Sequence, residues 1–341
     1  MRIKASELPT QNMKTHTLRS SGSLALLAGF LAFNPCQQAS AQSESDDFTD
    51  GNDVGWERYD TIGSHPAFPE QGTWTFPNGG YRLQAAASPA PGVVGPARIG
   101  SVRPGVYSDF YVAVDVTNWD DSLDQSFGPF ARLSDLALGS TKGYVMTYQA
   151  RGKDIDITRI TGEAAERSVR QNGSGDVTLV PGKSYRFAFI GKGALLIARV
   201  YELPDMATPI VEISGTDTEP YTSGINGLLV YDNSNAASSP ADATFDNYFA
   251  TDVEPPKLTI GNPDFFGAWQ ITWPAEASAF VLETSTVLPG TAADWTAVPL
   301  ADIIPPSISN PIYIYNVVAW LEFGGLPQQF FRLVRPEPVP Q

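Results

Sequence analysis

The feature that most constrains the fold of this sequence is an alternation of apolar and polar residues with a period of two. Every second residue from Phe110 to Val116 is apolar, and every second residue from Tyr185 to Phe189 is aromatic. Because successive side chains of a β-strand point to opposite faces, this pattern predicts strands with one buried face. Patterning typical of helices is almost absent, so the sequence predicts an all-β fold.

Composition agrees with an antiparallel sandwich or barrel that has many short turns. The chain has 30 glycines and 28 prolines, which favour turns over long helices, and 42% hydrophobic residues, which are enough to fill a core. One cysteine and two histidines exclude a disulfide framework and a CxxC zinc site. A formal net charge of −15 argues against nucleic acid as a partner.

The first 41 residues have the organisation of an export signal. Lys14 and Arg19 precede the apolar run Leu24–Phe33, and a small-residue cleavage site ends at Ala41. This run is shorter than the ~20 apolar residues that a membrane-spanning helix needs. We therefore expect a signal peptide over 1–41, no membrane insertion, and a secreted, periplasmic or cell-surface protein.

A composition change divides the rest of the chain. The segment 253–257 contains paired prolines and is interpreted as a linker. Six or seven short strand-like runs follow within 258–336, and the tail 337–341 is expected to be disordered. The first domain is predicted to span 43–252.

Motifs at both ends of the first domain resemble the concanavalin A-like lectin/glucanase superfamily. They are Asp46-Asp47-Phe48, Gly55-Trp56 and the closing Phe245-Asp246-Asn247. The resemblance implies a jelly-roll β-sandwich, and it carries fold information more than function.

The second domain is similar to fibronectin type III-like modules of exported proteins. The residues that carry this resemblance are Ile271–Pro274, Phe280–Glu283, Trp295–Val298 and Phe330–Leu333. It implies a smaller immunoglobulin/fibronectin-like β-sandwich that serves as a spacer or presents the first domain.

Glucanases of this superfamily carry an E-x-D-x-x-E arrangement of carboxylates, and this sequence contains no such triplet. It also lacks a GxSxG motif, and His65 lies in a loop-like sequence. We therefore expect no enzymatic activity.

Sugar binding calls for exposed aromatic faces and polar groups for the hydroxyls. The acidic loop 118–125 carries Trp119, Asp121 and Asp124 directly after a strand. Three further candidates on the following strands would line the concave face of a jelly roll: Arg132, Tyr144 and Tyr148. The alternative is that Trp119 caps the core and that the acids are only solvated.

Relatives with this fold often hold a structural Ca²⁺ where the first and last strands meet, and oxygen donors suit that ion. The resemblance implies that Asp47, Asp50 and Asp246 converge on such an ion. Asp, Asn and Gly at these positions also form turns without a metal, so both interpretations stay open.

These observations favour an exported, non-catalytic carbohydrate-binding or adhesion protein whose partner is a polysaccharide, another glycan or a surface protein. Two alternatives remain: a structural or protein-interaction module that binds no sugar, and a divergent glycoside-active enzyme.

Overall fold

A computed structural model describes residues 43–234, 238–261, 268–274, 280–286, 294–307, 310, 312–318 and 330–334. The predicted signal peptide lies outside these residues, as does the predicted tail. Within the described ranges the protein is an all-β structure, as predicted. Its helical segments are the 3-10 turns Pro77–Gly79 and Leu300–Asp302 and the four-residue helix Pro91–Val94. None of the helices described is long and apolar enough to cross a membrane.

Two antiparallel sheets are built from residues 43–251. The strands, in chain order, are β1 Ser43–Asp46, β2 Glu57–Tyr59, β3 Gly72–Thr75, β4 Tyr81–Ala85, β5 Arg98–Tyr107, β6 Phe110–Trp119, β7 Gln125–Ser134, β8 Lys142–Gln149, β9 Asp154–Thr161, β10 Ala164–Ser168, β11 Tyr185–Lys192, β12 Leu195–Glu202, β13 Val211–Thr216, β14 Gly224–Asp232 and β15 Ala241–Thr251.

The eight-stranded sheet has the order β13-β12-β11-β6-β15-β4-β3, with β1 also paired to β15. The seven-stranded sheet has the order β10-β9-β8-β7-β14-β5-β2. Strands adjacent in the sequence, such as β5 and β6 or β14 and β15, lie in different sheets, so the chain passes repeatedly from one layer to the other. This is the topology of a jelly-roll sandwich.

The core lies between these two sheets, where the period-two pattern predicted it. Val112 and Val114 from β6 and Phe187 from β11 have no solvent exposure, and they share one apolar cluster with Met146 and Tyr148 from β8. Truncating one of these large buried aromatics to alanine removes about 3–5 kcal/mol of stability in typical cores.

The described residues between 259 and 334 form a four-stranded sheet of order β16-β17-β21-β20 and a three-stranded sheet of order β19-β18-β22. Their bounds are β16 Thr259–Ile260, β17 Ala268–Pro274, β18 Val281–Ser285, β19 Thr296–Ala297, β20 Ile303–Ile304, β21 Ile312–Val318 and β22 Phe330–Val334. Trp273 and Leu282, from different sheets, are buried in one small core, and Trp273 stacks on Tyr313. The fibronectin type III-like assignment and the domain boundaries stay predictions.

Candidate functional site

The seven-stranded sheet carries apolar side chains on both faces. Along β8, Tyr144, Met146 and Tyr148 point into the core between the sheets, whereas Val145 belongs to a second apolar cluster. Val145 and Thr147 alternate with the core residues, so they lie on the face turned away from the eight-stranded sheet. We call this the outer face.

A groove with a cavity volume of about 140 Å³ lies on the outer face. Its apolar floor includes Phe130, Val145 and Leu229 from three adjacent strands. The full lining comprises Tyr59, Arg98, Ser126, Phe130, Thr141, Val145, Thr147, Gln149, Thr158, Ile160, Glu163, Ala165, Leu229, Tyr231 and Asn233. The groove thus receives residues from all seven strands of one sheet and from the connections next to them.

The strand register places several polar lining residues in one row across the sheet. Gln149 is opposite Ser126, Ser126 is opposite Tyr231, and Tyr231 is opposite Arg98. Ser126 accepts a hydrogen bond from Asn233 Nδ2 at 2.6 Å. The groove therefore combines an apolar floor with a row of hydrogen-bonding groups, which is the usual composition of small-ligand sites.

A buried ion pair crosses the outer face. Glu163 lies in the turn between β9 and β10, and its Oε2 accepts a hydrogen bond from Arg98 Nη2 in β5 at 2.7 Å. The two side chains are 3% and 6% exposed. Glu163 also accepts bonds from the hydroxyls of Tyr59 and Thr61 and from the Gly139 amide. One carboxylate therefore connects the β9–β10 turn to β5, to β2 and to the loop before β8.

The ionised form of Glu163 is stabilised by these contacts. Burial alone would raise the pKa of its carboxyl group, but the hydrogen bonds and charge of Arg98, with the two hydroxyls, hold that pKa below its usual value. Burial and the neighbouring carboxylate raise the pKa of Tyr59. The Tyr59 hydroxyl is therefore protonated at neutral pH and donates its hydrogen to Glu163.

The structure places the predicted loop residues around the core edge and not in this groove. Trp119 is 4% exposed and packs against Phe127, and its Nε1 donates to Asp121 Oδ1 at 3.2 Å. Asp121 also accepts from Lys153 at 2.7 Å. With its ring buried, Trp119 has no face for stacking on a sugar, and the position agrees with the alternative that it caps the core.

Asp124 belongs to the same loop. Its Oδ2 pairs with Arg151 Nη1 at 3.1 Å, in the turn that joins β8 to β9. The ion pairs of Asp121 and Asp124 thus attach the loop to the neighbouring hairpin, and the structure gives both acids a structural contact.

Three other predicted site residues are buried on the core side of the sheet. Arg132 is 1% exposed and donates to the carbonyl oxygens of Ser108, Gly193 and Tyr221 at 2.7–2.9 Å. Tyr144 and Tyr148 have no solvent exposure. All three are therefore corrected to core positions: Arg132 joins connecting segments, and the tyrosine rings fill the space between the sheets.

The predicted site residues of β8 lie on the face of the strand opposite to the groove. The aromatic positions of β8 alternate with Val145, Thr147 and Gln149, and only this second set lines the groove. In the sequence, this second set combines one apolar residue with two neutral polar residues at alternate positions. That composition is the sequence signal that could have indicated a solvated, ligand-binding face. Arg98 and Glu163 had no local pattern that indicated their contact.

Each predicted calcium ligand forms a local hydrogen bond, Asp47 and Asp50 in the segment after β1 and Asp246 at an irregular part of β15. Asp47 Oδ1 accepts from the Thr49 amide and hydroxyl, Asp50 Oδ1 accepts from the Asn52 amide, and Asp246 Oδ1 accepts from the Asn247 amide. Across the described ranges, no group of three or more Asp, Glu, His or Cys side chains is arranged to hold a metal ion. The three predicted ligands therefore do not form such a group, and calcium stays a prediction.

A pair of carboxylates lies on the outer face of the eight-stranded sheet. Asp115 in β6 is opposite Asp246 in β15, and both oxygens of Asp115 accept bonds from Arg186 at 2.6 and 2.8 Å. Burial, followed by the charges of Asp115 and Asp47, raises the pKa of Asp246. The two acids line an open depression of about 560 Å³ together with Lys183.

Comparisons with known proteins identify structures of similar architecture at low similarity. A carbohydrate-binding module, CBM66 from Bacillus subtilis, is 18% identical with a TM-score of 0.40, covering 57% of this chain and 93% of that one. A β-1,3-1,4-glucanase (lichenase) from a mouse hindgut metagenome is 12% identical with a TM-score of 0.43, covering 62% and 99%. The winged bean acidic lectin in complex with methyl-α-D-galactose is 10% identical with a TM-score of 0.40, covering 62% and 98%. No protein-family model matches the sequence, and a search of curated proteins finds no match.

Proposed function

We propose that this protein is an exported, non-catalytic carbohydrate-binding protein and that the outer-face groove holds the sugar. The observation that carries the proposal is the pairing of an apolar floor with neutral polar groups in one groove. Phe130, Val145 and Leu229 form the floor, and Gln149 and Tyr231 belong to the polar row.

A sugar ring matches this arrangement because it has apolar C–H faces and hydroxyls around its edge. The floor contacts a face of the ring, while amide and hydroxyl side chains exchange hydrogen bonds with its edge. Tyr231 is half-buried, so its ring can contact a bound sugar while its hydroxyl stays accessible from the groove.

The carboxylate chemistry of the groove supports a non-catalytic role. Glu163 is the only carboxylate among the described residues that line it. Retaining and inverting glycoside hydrolysis both use two carboxyl groups, one of which must be protonated to act as the acid. Arg98 keeps the pKa of Glu163 low, and hydrogen bonds from Arg98 and Tyr59 occupy both of its oxygens.

Export and a presenting role for residues 258–336 are part of the proposal and rest on the sequence.

Structural calcium is also retained as a proposal, with Asp47, Asp50 and Asp246 as its predicted ligands. The test is thermal unfolding of the intact protein in 1 mM Ca²⁺ and in EDTA. A Ca²⁺ concentration of about 1 mM is close to the dissociation constants of extracellular calcium modules. A higher Tm with Ca²⁺ that Asp246→Asn removes supports calcium, and equal values in the two buffers contradict it.

The proposed function is tested by glycan-array binding of the mature protein and two tyrosine variants. Tyr231→Ala removes a groove residue, and Tyr201→Ala removes a half-buried tyrosine from the outer face of the eight-stranded sheet. We expect loss of binding only in the first variant. Absence of binding by the wild type, with circular dichroism showing an intact fold, would favour a structural or protein-interaction module.

A second candidate function is a divergent glycoside hydrolase, favoured by the opposed pair Asp115 and Asp246. Both oxygens of Asp115 accept hydrogen bonds from Arg186, whereas burial raises the pKa of Asp246, so Asp246 is the candidate acid of the pair and Asp115 the candidate base. Release of reducing ends from a polysaccharide panel, abolished by Asp246→Asn, would support this candidate. No release by the wild type would exclude it for that panel.

A further inference from the structure

We infer that the outer-face groove is specific for uncharged sugar residues and discriminates against uronic acids and sulfated sugars. The inference rests on the proposed function and names the chemical class of its ligand. It follows from the charges of the groove, all of which are already paired inside the protein.

The two charged groups of the groove are paired inside the protein. In the described part of the chain, Arg98 and Glu163 are the only charged residues that line it. Arg98 Nε and Nη2 donate to Glu163, and its Nη1 donates to the carbonyl oxygens of Val94 and Pro96 at 2.9 Å. Each guanidinium nitrogen therefore already has a partner, so the guanidinium does not offer a free fork to the carboxylate of a ligand.

The groove offers neutral polar side chains to a ligand. The side chains of Thr147, Gln149 and Tyr231 form no hydrogen bond to any other described residue, and all three line the groove. Burial raises the pKa of Tyr231, so its hydroxyl is uncharged at neutral pH. The groups left free are one amide and two hydroxyls, which match the donors and acceptors of a neutral sugar.

Binding of an anionic ligand in the groove carries a free-energy penalty. A carboxylate or sulfate that enters the groove loses water and finds an apolar floor and no unpaired cation, which is unfavourable for a buried charge. The formal net charge of −15 adds repulsion during approach, although salt screens it beyond about 8 Å at physiological ionic strength. Both effects select against anionic glycans.

The experiment compares matched neutral and anionic oligosaccharides on the intact mature protein. The probes are galactose, glucose and mannose oligomers and the corresponding galacturonate, glucuronate and mannuronate oligomers, with sulfated galactan as a further anion. We expect binding only to neutral members, with uronates weaker by about tenfold or more, as about 1.4 kcal/mol of unfavourable free energy would produce. We also expect the affinity for neutral oligosaccharides to change little between 50 and 500 mM NaCl.

A gain-of-function variant completes the test without disturbing the buried ion pair. Gln149→Arg places a cation at the half-exposed rim, and we expect it to raise uronate binding relative to neutral binding by about tenfold. Thr158→Val, which also changes a lining residue but adds no charge, is the matched control.

The possible outcomes separate this inference from the proposed function. The wild type could bind uronates or sulfated galactan as well as neutral sugars, with Tyr231→Ala removing that binding. This result overturns the specificity but leaves the proposed carbohydrate binding intact. An unchanged preference in Gln149→Arg also contradicts the specificity. Failure of every oligosaccharide to bind overturns both the function and the specificity.

Discussion

Glu163 in the β9–β10 turn forms a buried salt bridge with Arg98 in β5, although three strands separate β9 from β5 in the sheet. The contact requires the hairpin tip to lie over the outer face of the sheet. It fixes one boundary of the groove and neutralises both charges there. The binding site is therefore shaped by a contact between residues 65 positions apart in the sequence.

Replacing Glu163 by glutamine is expected to destabilise the protein strongly. The variant leaves Arg98 as an uncompensated buried charge, and breaking such pairs typically lowers the free energy of unfolding by about 3–5 kcal/mol. Glu202→Gln is the matched control, because Glu202 forms an ion pair with Lys183 in which both side chains are more than 40% exposed. That control should lose less than about 1 kcal/mol in urea unfolding. Equal losses in the two variants would show that the bridge is not a stabilising contact.

Asp217 is expected to contribute to the acid sensitivity of the fold. Burial alone would raise its pKa, but bonds from Tyr144, the Glu219 amide, Arg159 and Arg167 lower it to about 2. Because its folded pKa lies below the unfolded value of 3.8, the stabilisation is full above pH 3.8 and is lost as pH falls toward 2.

The measurement is urea unfolding of the wild type and Asp217→Asn between pH 2 and pH 6. The stability difference between them should be largest above pH 4 and should shrink toward pH 2. Asp135→Asn is the control, since Asp135 pairs with Lys142 at the surface with 54% exposure. A difference between wild type and Asp217→Asn that is constant with pH would contradict the assignment.

Asp246 is expected to have the opposite pH dependence. Its folded pKa is raised by burial and by Asp115 and Asp47, so its ionisation destabilises the fold once pH rises above the unfolded value. Asp246→Asn should therefore stabilise the calcium-free protein at pH 7 by about 0.2–1 kcal/mol, the usual range for a cross-strand pair. Near pH 3 the two proteins should be equally stable, and a less stable variant at pH 7 would refute the expectation.

Trp119→Ala tests the correction of the predicted sugar site. Because the indole is 4% exposed among Phe127, Tyr148 and Tyr185, the variant should lose about 3–5 kcal/mol of stability. Glycan binding, measured at a temperature where the variant remains folded, should be close to that of the wild type. A stable variant that has lost binding would return Trp119 to the site.

Much of the sandwich could be predicted because the alternation of residues within a single strand indicates which side chains are buried. Alternation alone predicts that Phe110, Val112 and Phe187 lie on buried faces, and the structure confirms this. The same rule could not select the functional face of β8, since aromatic residues indicate both a core and a sugar platform. Burial of Tyr144 and Tyr148 decides between the two only once the second sheet is in place.

The remaining parts of the groove depend on long-range geometry. Glu163 follows Gly162 in an ordinary turn sequence, and its contacts with Tyr59 and Arg98 arise from the path of the hairpin over the sheet. Similarly, Asp246 and Asp115 become neighbours only through the register of β6 and β15. No short pattern encodes either relationship.

The most direct test is to measure the affinity of the wild type, Tyr231→Ala and Tyr201→Ala for neutral oligosaccharides under conditions in which all three proteins are shown to be folded. The account predicts that the wild type and Tyr201→Ala bind alike, whereas Tyr231→Ala loses about tenfold or more in affinity, as expected for a contact of about 1.4 kcal/mol. Equal binding by all three proteins would place the sugar elsewhere on the surface and contradict the assignment of the groove.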